Sequence, residues 1–306
     1  MSDSVSTVPG TAAGKQGLFL LTAAGVLWGT GGLAGATLQA FTDVQPLATA
    51  SYRLLVGGAL ATLALLLMGR LRQVPRSGAA LRRVLGAGVL LALFQAAYFM
   101  SISFTSVSLA TLITIGSVPV FVTAATTVLE RRAPGPALLG AVGCGVVGLA
   151  LLVQSPGGSG SGTDTVLGAG FALAAGAGFS ALTLLNRLPV PGLDPLGITA
   201  LGCLAGGLML LPAGLVTGMA FTPTPLSLGV LLYMGAAPTA LAYLAYFGGL
   251  RKAPATAAAL AAVLEPLTAT LLSIALLGET LSPIGTVGAC LLLGGVLLEY
   301  VRPRAG

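Results

Sequence analysis

The sequence contains no histidine, and only 7% of its 306 residues are charged. The first absence removes Ser-His-Asp and Cys-His catalysis, His-ligated zinc and His proton relays. The second excludes an ordinary soluble enzyme or nucleic-acid binder, since a soluble domain carries roughly 25% charged residues. Cysteine is scarce as well. Cys144, Cys203 and Cys290 are far apart, each within an apolar run, and no CxxC occurs, so neither a disulfide framework nor a Cys-rich metal site is indicated. No GxxxxGK[ST] is present; the nearest string, Gly10 to Lys15, lacks both the spacing and the following hydroxyl. The four aspartates (Asp3, Asp43, Asp164, Asp194) all fall in expected tails or loops, which leaves paired-Asp intramembrane proteolysis nothing to work with. No catalytic residue, metal or cofactor is therefore expected. Fourteen basic residues set the pI near 9.7, but they are too dispersed to form a nucleic-acid-binding face.

What is present is apolar: 56% of the chain, with a mean hydropathy of +0.99. The partner this implies is the lipid bilayer. Crossing it takes about 20 apolar residues per helix, and ten such runs are legible: 17–39, 46–68, 83–104, 106–129, 136–153, 166–187, 195–217, 226–250, 255–277 and 283–301. Proline, glycine or charge marks the breaks. Alternating ten-residue barrel strands are absent, so the expected fold is an all-α integral membrane protein. The first run is too long for a signal-peptide core and reads as an uncleaved span. With the N-terminus inside, thirteen of the fourteen cations fall in inside loops or tails and none in outside loops; the other, Arg53, lies within the second span. By the positive-inside rule both termini are expected to be cytoplasmic, and the expected location is the cytoplasmic membrane.

The chain also repeats itself. Pro46 to Gly58 falls on Pro195 to Gly207 at an offset of 149, Tyr98-Phe99 on Tyr246-Phe247 at 148, and Glu130 on Glu279 at 149. The expected organisation is a cytoplasmic tail (1–16), a five-helix repeat (17–154), a Gly/Ser-rich linker (155–165), a second five-helix repeat (166–301) and a cytoplasmic tail (302–306). Five is odd, so the second repeat enters the membrane from the opposite side. Ten transmembrane helices as two inverted repeats around a central cavity give two exchangeable conformations, the basis of alternating access.

Glu265 is the most informative residue. With the ninth helix starting near 255, it lies about 15 Å along the helix, near the midplane. A carboxylate there costs at least about 2.5–3.5 kcal/mol and so faces a cavity or a partner. It reads as a protonatable coupling or substrate-amine site, or as a brace beside Pro266. Arg53 lies about 10 Å below the outer end of the second span, deep enough to pair with Glu265 or to bind a substrate carboxylate. Glu130 and Glu279 read as helix-end caps or salt bridges. Aromatics make up only 6% of the chain, which gives weight to Trp28, Tyr98, Tyr243 and Tyr246 as lining for an organic substrate; Gln95, Ser117 and Thr183 would add hydrogen-bonding groups. Glycine pairs at four-residue spacing (Gly25/Gly29, Gly31/Gly35, Gly202/Gly206) permit close helix approach.

Several of these residues carry a resemblance: Trp28-Gly29; Arg53 after Pro46; Tyr246-Phe-Gly-Gly-Leu-Arg-Lys-Ala-Pro-Ala-Thr256; Leu264-Glu-Pro266; and Gly278-Glu279 followed by Gly288. Over nearly its whole length the chain resembles the EamA-type family of the drug/metabolite transporter superfamily. The resemblance implies ten helices in inverted repeats, cytoplasmic termini, a central cavity and export of amino acids, other metabolites or drugs. It departs at one place, where Pro119 to Glu130 is two residues shorter than Pro266 to Glu279. The expected function is secondary transport of a small amino-acid-like or amphipathic compound, with protons as a candidate coupling ion. A channel or lipid translocator is the alternative, and a membrane-embedded enzyme the least favoured; the sequence is silent on oligomeric state. A Ser159→Cys variant in a background without other cysteines should react with an impermeant thiol reagent added outside intact cells. Labelling only after permeabilisation would reverse the topology.

Overall fold

A computed structural model describes residues 12–131, 136–153, 162–186, 190–253 and 258–301. They form helices α1 (Ala12–Thr42), α2 (Pro46–Leu67), α3 (Gly78–Phe104), α4 (Val107–Glu130), α5 (Pro136–Val153), α6 (Gly162–Asn186), α7 (Pro195–Thr217), α8 (Pro225–Leu250), α9 (Ala258–Leu277) and α10 (Pro283–Val301). Seven of these, α1 to α4 and α6 to α8, are long and apolar enough to cross a bilayer; α5, α9 and α10 contribute shorter apolar stretches. Proline opens α2, α7 and α8 at a position whose N–H has no helical partner. Ser77, Ser106 and Asp194 cap α3, α4 and α7 by accepting from Ala80, Leu109 and Gly197 N–H. The helices begin or end within a few residues of the expected runs, with α1 longer at both ends and α3 starting five residues earlier. Asp164, expected in a loop, lies in the first turn of α6. The core of the Gly/Ser linker and the cations Arg132, Arg187, Arg302 and Arg304 lie outside the described residues.

The molecule is apolar on the outside and polar within. Val216, Leu67 and Val128 are 88%, 80% and 75% exposed, whereas Arg53 and Gln95 are 6% and 3% exposed. In water this would expose large apolar patches; in lipid it is the stable arrangement. Since lipid is as apolar as leucine, close packing must hold the helices together, and glycine supplies it. A Cβ on Gly58 of α2 would stand 2.6 Å from the Leu204 nitrogen of α7, and one on Gly148 of α5 would stand 2.7 Å from the Gly288 carbonyl of α10. Gly88 and Gly206 meet similarly between α3 and α7, and Gly176 of α6 lies against Ser117 of α4. The resulting neighbours are α2 with α7, α5 with α10, α4 with α9, α1 with α8 and α9, α6 with α3 and α4, α3 with α7, and α2 with α8.

One contact between distant parts of the sequence fixes how α4 begins. Glu279 accepts from the N–H of Val107 (2.8 Å) and of Ser108 (3.0 Å) through separate carboxylate oxygens. A carboxylate on a helix N-terminus meets both unpaired donors and the positive end of the dipole, so Glu279 caps a helix, as expected, though not its own. Glu130 is not its counterpart. Helices α4 and α9 both stop eleven residues after their internal prolines, Pro119 and Pro266. Glu130 is therefore the last residue of α4, while Glu279 lies beyond α9, after the left-handed Gly278 (φ 67°). The two-residue mismatch in the sequence repeat is this extra loop. Glu279→Ala should lower stability by about 1–3 kcal/mol through loss of charge-assisted bonds and exposure of two donors, read as a lower thermal unfolding midpoint in detergent. An unchanged midpoint would show that the cap contributes nothing.

Candidate functional site

The side chains expected to meet come from seven helices. At the centre is Arg53 of α2, whose Nε donates to the Thr239 hydroxyl (3.3 Å) and Nη2 to the Pro238 carbonyl (3.4 Å) of α8. Its guanidinium lies over the Phe99 ring of α3, 5.9 Å from the centroid. It also passes directly beneath α1: a Cβ on Gly31 would stand 2.6 Å from Nη2. Four helices thus converge on one charge.

The acceptors for Arg53 come from an irregular turn. Between Ala236 and Leu241, α8 widens into a π-helical turn. Pro238 there can neither donate to a helix ladder nor sit without strain above the carbonyl of the preceding turn; widening the turn relieves both. The Thr239 hydroxyl bonds back to the Met234 carbonyl (3.0 Å) and simultaneously accepts from Arg53. Sequence reading missed Pro238 and Thr239, although a proline deep inside an apolar run was a signal for a break in regular helix. It also missed Thr111, which pairs with Tyr98 hydroxyl to hydroxyl at 2.6 Å.

Beyond the π turn, α8 presents Tyr243 and Tyr246, and both meet Trp28 of α1. The Trp28 ring lies edge-on to Tyr243 at 5.4 Å and tilted to Tyr246 at 4.9 Å, and Phe247 packs on both tyrosines. All three expected aromatics are half-buried. The next residue of α1, Gly29, determines what faces them. A Cβ there would stand 2.5 Å from the Glu265 carbonyl and 2.6 Å from Thr268 Cβ, so only glycine lets α1 approach α9 this closely.

Glu265 is half-buried and within Coulombic reach of Arg53, Tyr98 and Tyr243. Among the described residues its carboxylate forms no ion pair; Arg70 with Asp194 (2.5 Å) is the salt bridge there. The direct Arg53–Glu265 pair left open by the sequence does not form, because Arg53 directs its donors to α8. Arg53 and Glu265 meet α1 at neighbouring levels, Arg53 against Gly31 and the Glu265 backbone against Gly29.

Three other expected residues stand apart. Ser117 donates to the Thr114 carbonyl (2.9 Å) in the seam between α4 and α6. Thr183 bonds back to Phe179 within α6 (2.9 Å), the ordinary helical behaviour of threonine. Gln95 is buried in α3, and its Oε1 has no hydrogen-bond partner. What remains together is a layer of Trp28, Arg53, Tyr98, Tyr243, Tyr246 and Glu265. Charge, hydroxyl groups and aromatic faces in a lipid-shielded interior suit recognition of an organic molecule.

The EamA-like transporter family model matches the chain twice, over residues 15–154 and 166–301. The chain belongs to the EamA-like transporter family. It is 32% identical over 289 residues to the uncharacterized transporter YwfM of Bacillus subtilis (strain 168), covering 94% of each chain. An uncharacterized transporter of Archaeoglobus fulgidus is 27% identical, over 72% of this chain and 76% of its own length. A chain of known crystal structure superposes with a TM-score of 0.63 at 21% identity, over 93% of this chain and 96% of that one; that likeness carries the fold alone. The protein is a multi-pass membrane transporter.

Close approach at Gly29 supports this layer, so Gly29→Ala should force α9 outward and cost about 1–3 kcal/mol. Gly170, with no atom within 4 Å of its Cβ position, is the control: Gly170→Ala should be neutral or stabilising by up to about 1 kcal/mol. Thermal unfolding in detergent measures both. Equal midpoints for the two variants would mean that α1 and α9 tolerate separation.

Proposed function

We propose that the protein is a secondary active transporter that exports a small amino-acid-like or amphipathic metabolite or drug by alternating access. The transporter works without catalytic chemistry and resides in the cytoplasmic membrane with both termini inside. All ten helices span, organised as five-helix repeats 17–154 and 166–301. The observation that carries this reading is the pairing pattern of the helices. Exchanging each helix of the first five for the one five places later turns α1–α9 into α6–α4, α1–α8 into α6–α3 and α2–α8 into α7–α3. It leaves α2–α7, α5–α10 and α4–α9 unchanged, so the principal contacts between helices not adjacent in sequence map onto one another, while minor ones such as α1–α3 and α4–α10 do not. The two separate matches of the family model support the same division. A frame that maps onto itself with its direction reversed has two conformations of similar packing, one open to each side.

Substrate would bind in the layer of Trp28, Tyr98, Tyr243, Tyr246 and Glu265, with Arg53 fixing its geometry. The expected roles of Gln95, Ser117 and Thr183 are narrower: Ser117 and Thr183 bond within their own helices or seams, and Gln95 keeps an unpartnered acceptor for a ligand. Glu265 is the coupling group. A carboxylate without an ion-pair partner can exchange a proton with whichever side the layer faces, and a proton taken up from one side can be exchanged for substrate. Proteoliposomes test this. Glu265→Gln should abolish the dependence of substrate flux on an imposed pH gradient and leave exchange of substrate for substrate intact. If the variant keeps wild-type gradient dependence, the coupling role is wrong. If flux in the wild type never saturates, a channel replaces the carrier.

A further inference from the structure

Three observations at the aromatic layer point beyond a generic organic substrate. The first is an imbalance in how its two charges are satisfied. Arg53 is 6% exposed, and it donates from Nε to Thr239 and from Nη2 to Pro238 under the roof made by Gly31 and Phe99. Glu265 is half-buried and makes no ion pair among the described residues. The charge left available for contact is negative. The second is the company Glu265 keeps. Trp28, Tyr243 and Tyr246 form one ring cluster, α1 presses on the Glu265 backbone at the residue after Trp28, and Tyr243 lies within Coulombic reach of the carboxylate. The negative faces of aromatic rings attract cations, tryptophan most strongly, and desolvation strengthens the attraction. The third is geometric. Arg53 and Glu265 nearly cancel at long range, so the layer discriminates by contact, and a cation gains only by touching the carboxylate and the rings.

We propose that the substrate class of this site is an organic cation, a protonated or quaternary amine with an apolar flank, bound by the Glu265 carboxylate and the Trp28, Tyr243 and Tyr246 rings. This deepens the transporter reading and rests on it. A free carboxylate or other anion is disfavoured because its partner would be Arg53, which is buried and roofed over by α1. A neutral molecule leaves the Glu265 charge uncompensated. Bound cation and proton are alternatives at one carboxylate, so the same contact supplies specificity and exchange.

The chain has a single tryptophan, and it stands in the proposed site. Its fluorescence, excited at the red edge of indole absorption, reports occupancy without a label. Purified full-length protein in nanodiscs is titrated with phenethylamine, trimethylphenethylammonium, phenylethyl alcohol and hydrocinnamate, which share a phenylethyl group and differ in charge. Both cations should change the Trp28 signal saturably, with affinities at least tenfold tighter than the alcohol or the anion. Glu265→Gln should remove that preference, and Glu265→Asp should retain part of it. Equal response to cation and alcohol, preference for hydrocinnamate, or an undiminished cation preference in Glu265→Gln would each overturn the proposal. The wild-type ligand series decides it even if the variants fail to fold. Flux of trimethylphenethylammonium in proteoliposomes separates the two levels. Tight binding without flux would end the transporter reading and leave the cation site, whereas saturable flux of hydrocinnamate without cation binding would do the reverse.

Discussion

The buried guanidinium of Arg53 is the constraint around which the rest of the bundle is arranged. A charge at that depth in lipid is costly unless every side of it is occupied by something polar or polarisable. Each neighbour can be read as an answer. Phe99 offers a ring face, Gly31 removes a side chain that would collide, and the widened turn of α8 supplies the Pro238 carbonyl and the Thr239 hydroxyl. Widening the turn also changes the direction in which everything after it points, since one extra residue per turn rotates the following side chains about the helix axis. Tyr243, Tyr246 and Phe247 follow immediately. The placement of the aromatic cluster against Trp28 is therefore tied to how Arg53 is satisfied.

Glycine does for the backbone what Arg53 does for charge. Where no hydrophobic effect separates protein from solvent, helices are held by close contact, and the seams between α2 and α7, α5 and α10, and α1 and α9 each contain glycines whose missing Cβ is filled by the neighbour. At Gly29 the same economy of space has a functional result, because it brings the Glu265 segment of α9 against α1 beside Trp28. The two acidic residues near α9 show how strongly context sets their chemistry. Glu279, just past the helix, has both oxygens committed to N–H donors of α4. Glu265, fourteen residues earlier, accepts no such bond among the described residues.

Much of this was legible beforehand. Apolar runs gave the helices because each is long, strongly apolar and punctuated by proline, and the Pro46 and Pro195 starts recur in the structure at their expected residues. Trp28, Tyr243 and Tyr246 could be picked out because aromatics are rare here and fall in only a few spans. Three things were hidden. Pro238 signals a break in α8, but that the break is a π turn presenting acceptors to Arg53 depends on packing between distant helices. The partner of Arg53 stayed open because charge complementarity offered Glu265, whereas neutral acceptors on α8 lay closer. The bonding of Ser117 and Thr183 was the third, since a hydroxyl in a helix can be satisfied by its own backbone and sequence does not reveal which way it turns.

The proposed exchange of repeats has one further consequence at the seam of α2 and α7. Its end near Gln45 is fastened by the Gln45 N–H to the Gly218 carbonyl (3.2 Å) and by the Tyr52 hydroxyl to the Met219 carbonyl (2.9 Å). Under the 149-residue offset Gln45 corresponds to Asp194 and Gly218 to Gly69, so the related fastening at the other end is the Arg70–Asp194 ion pair (2.5 Å). One end is closed by neutral bonds to backbone carbonyls, the other by a partly exposed ion pair that contributes little in water and weakens with salt. A frame symmetric in packing is thus unequal in the chemistry of its two closures. In the proposed exchange of repeats, two conformations related by the symmetry would differ in energy through these end contacts, and the difference would respond to ionic strength at one end only. Such a bias would give the proposed carrier a preferred resting side without altering the proposed binding layer.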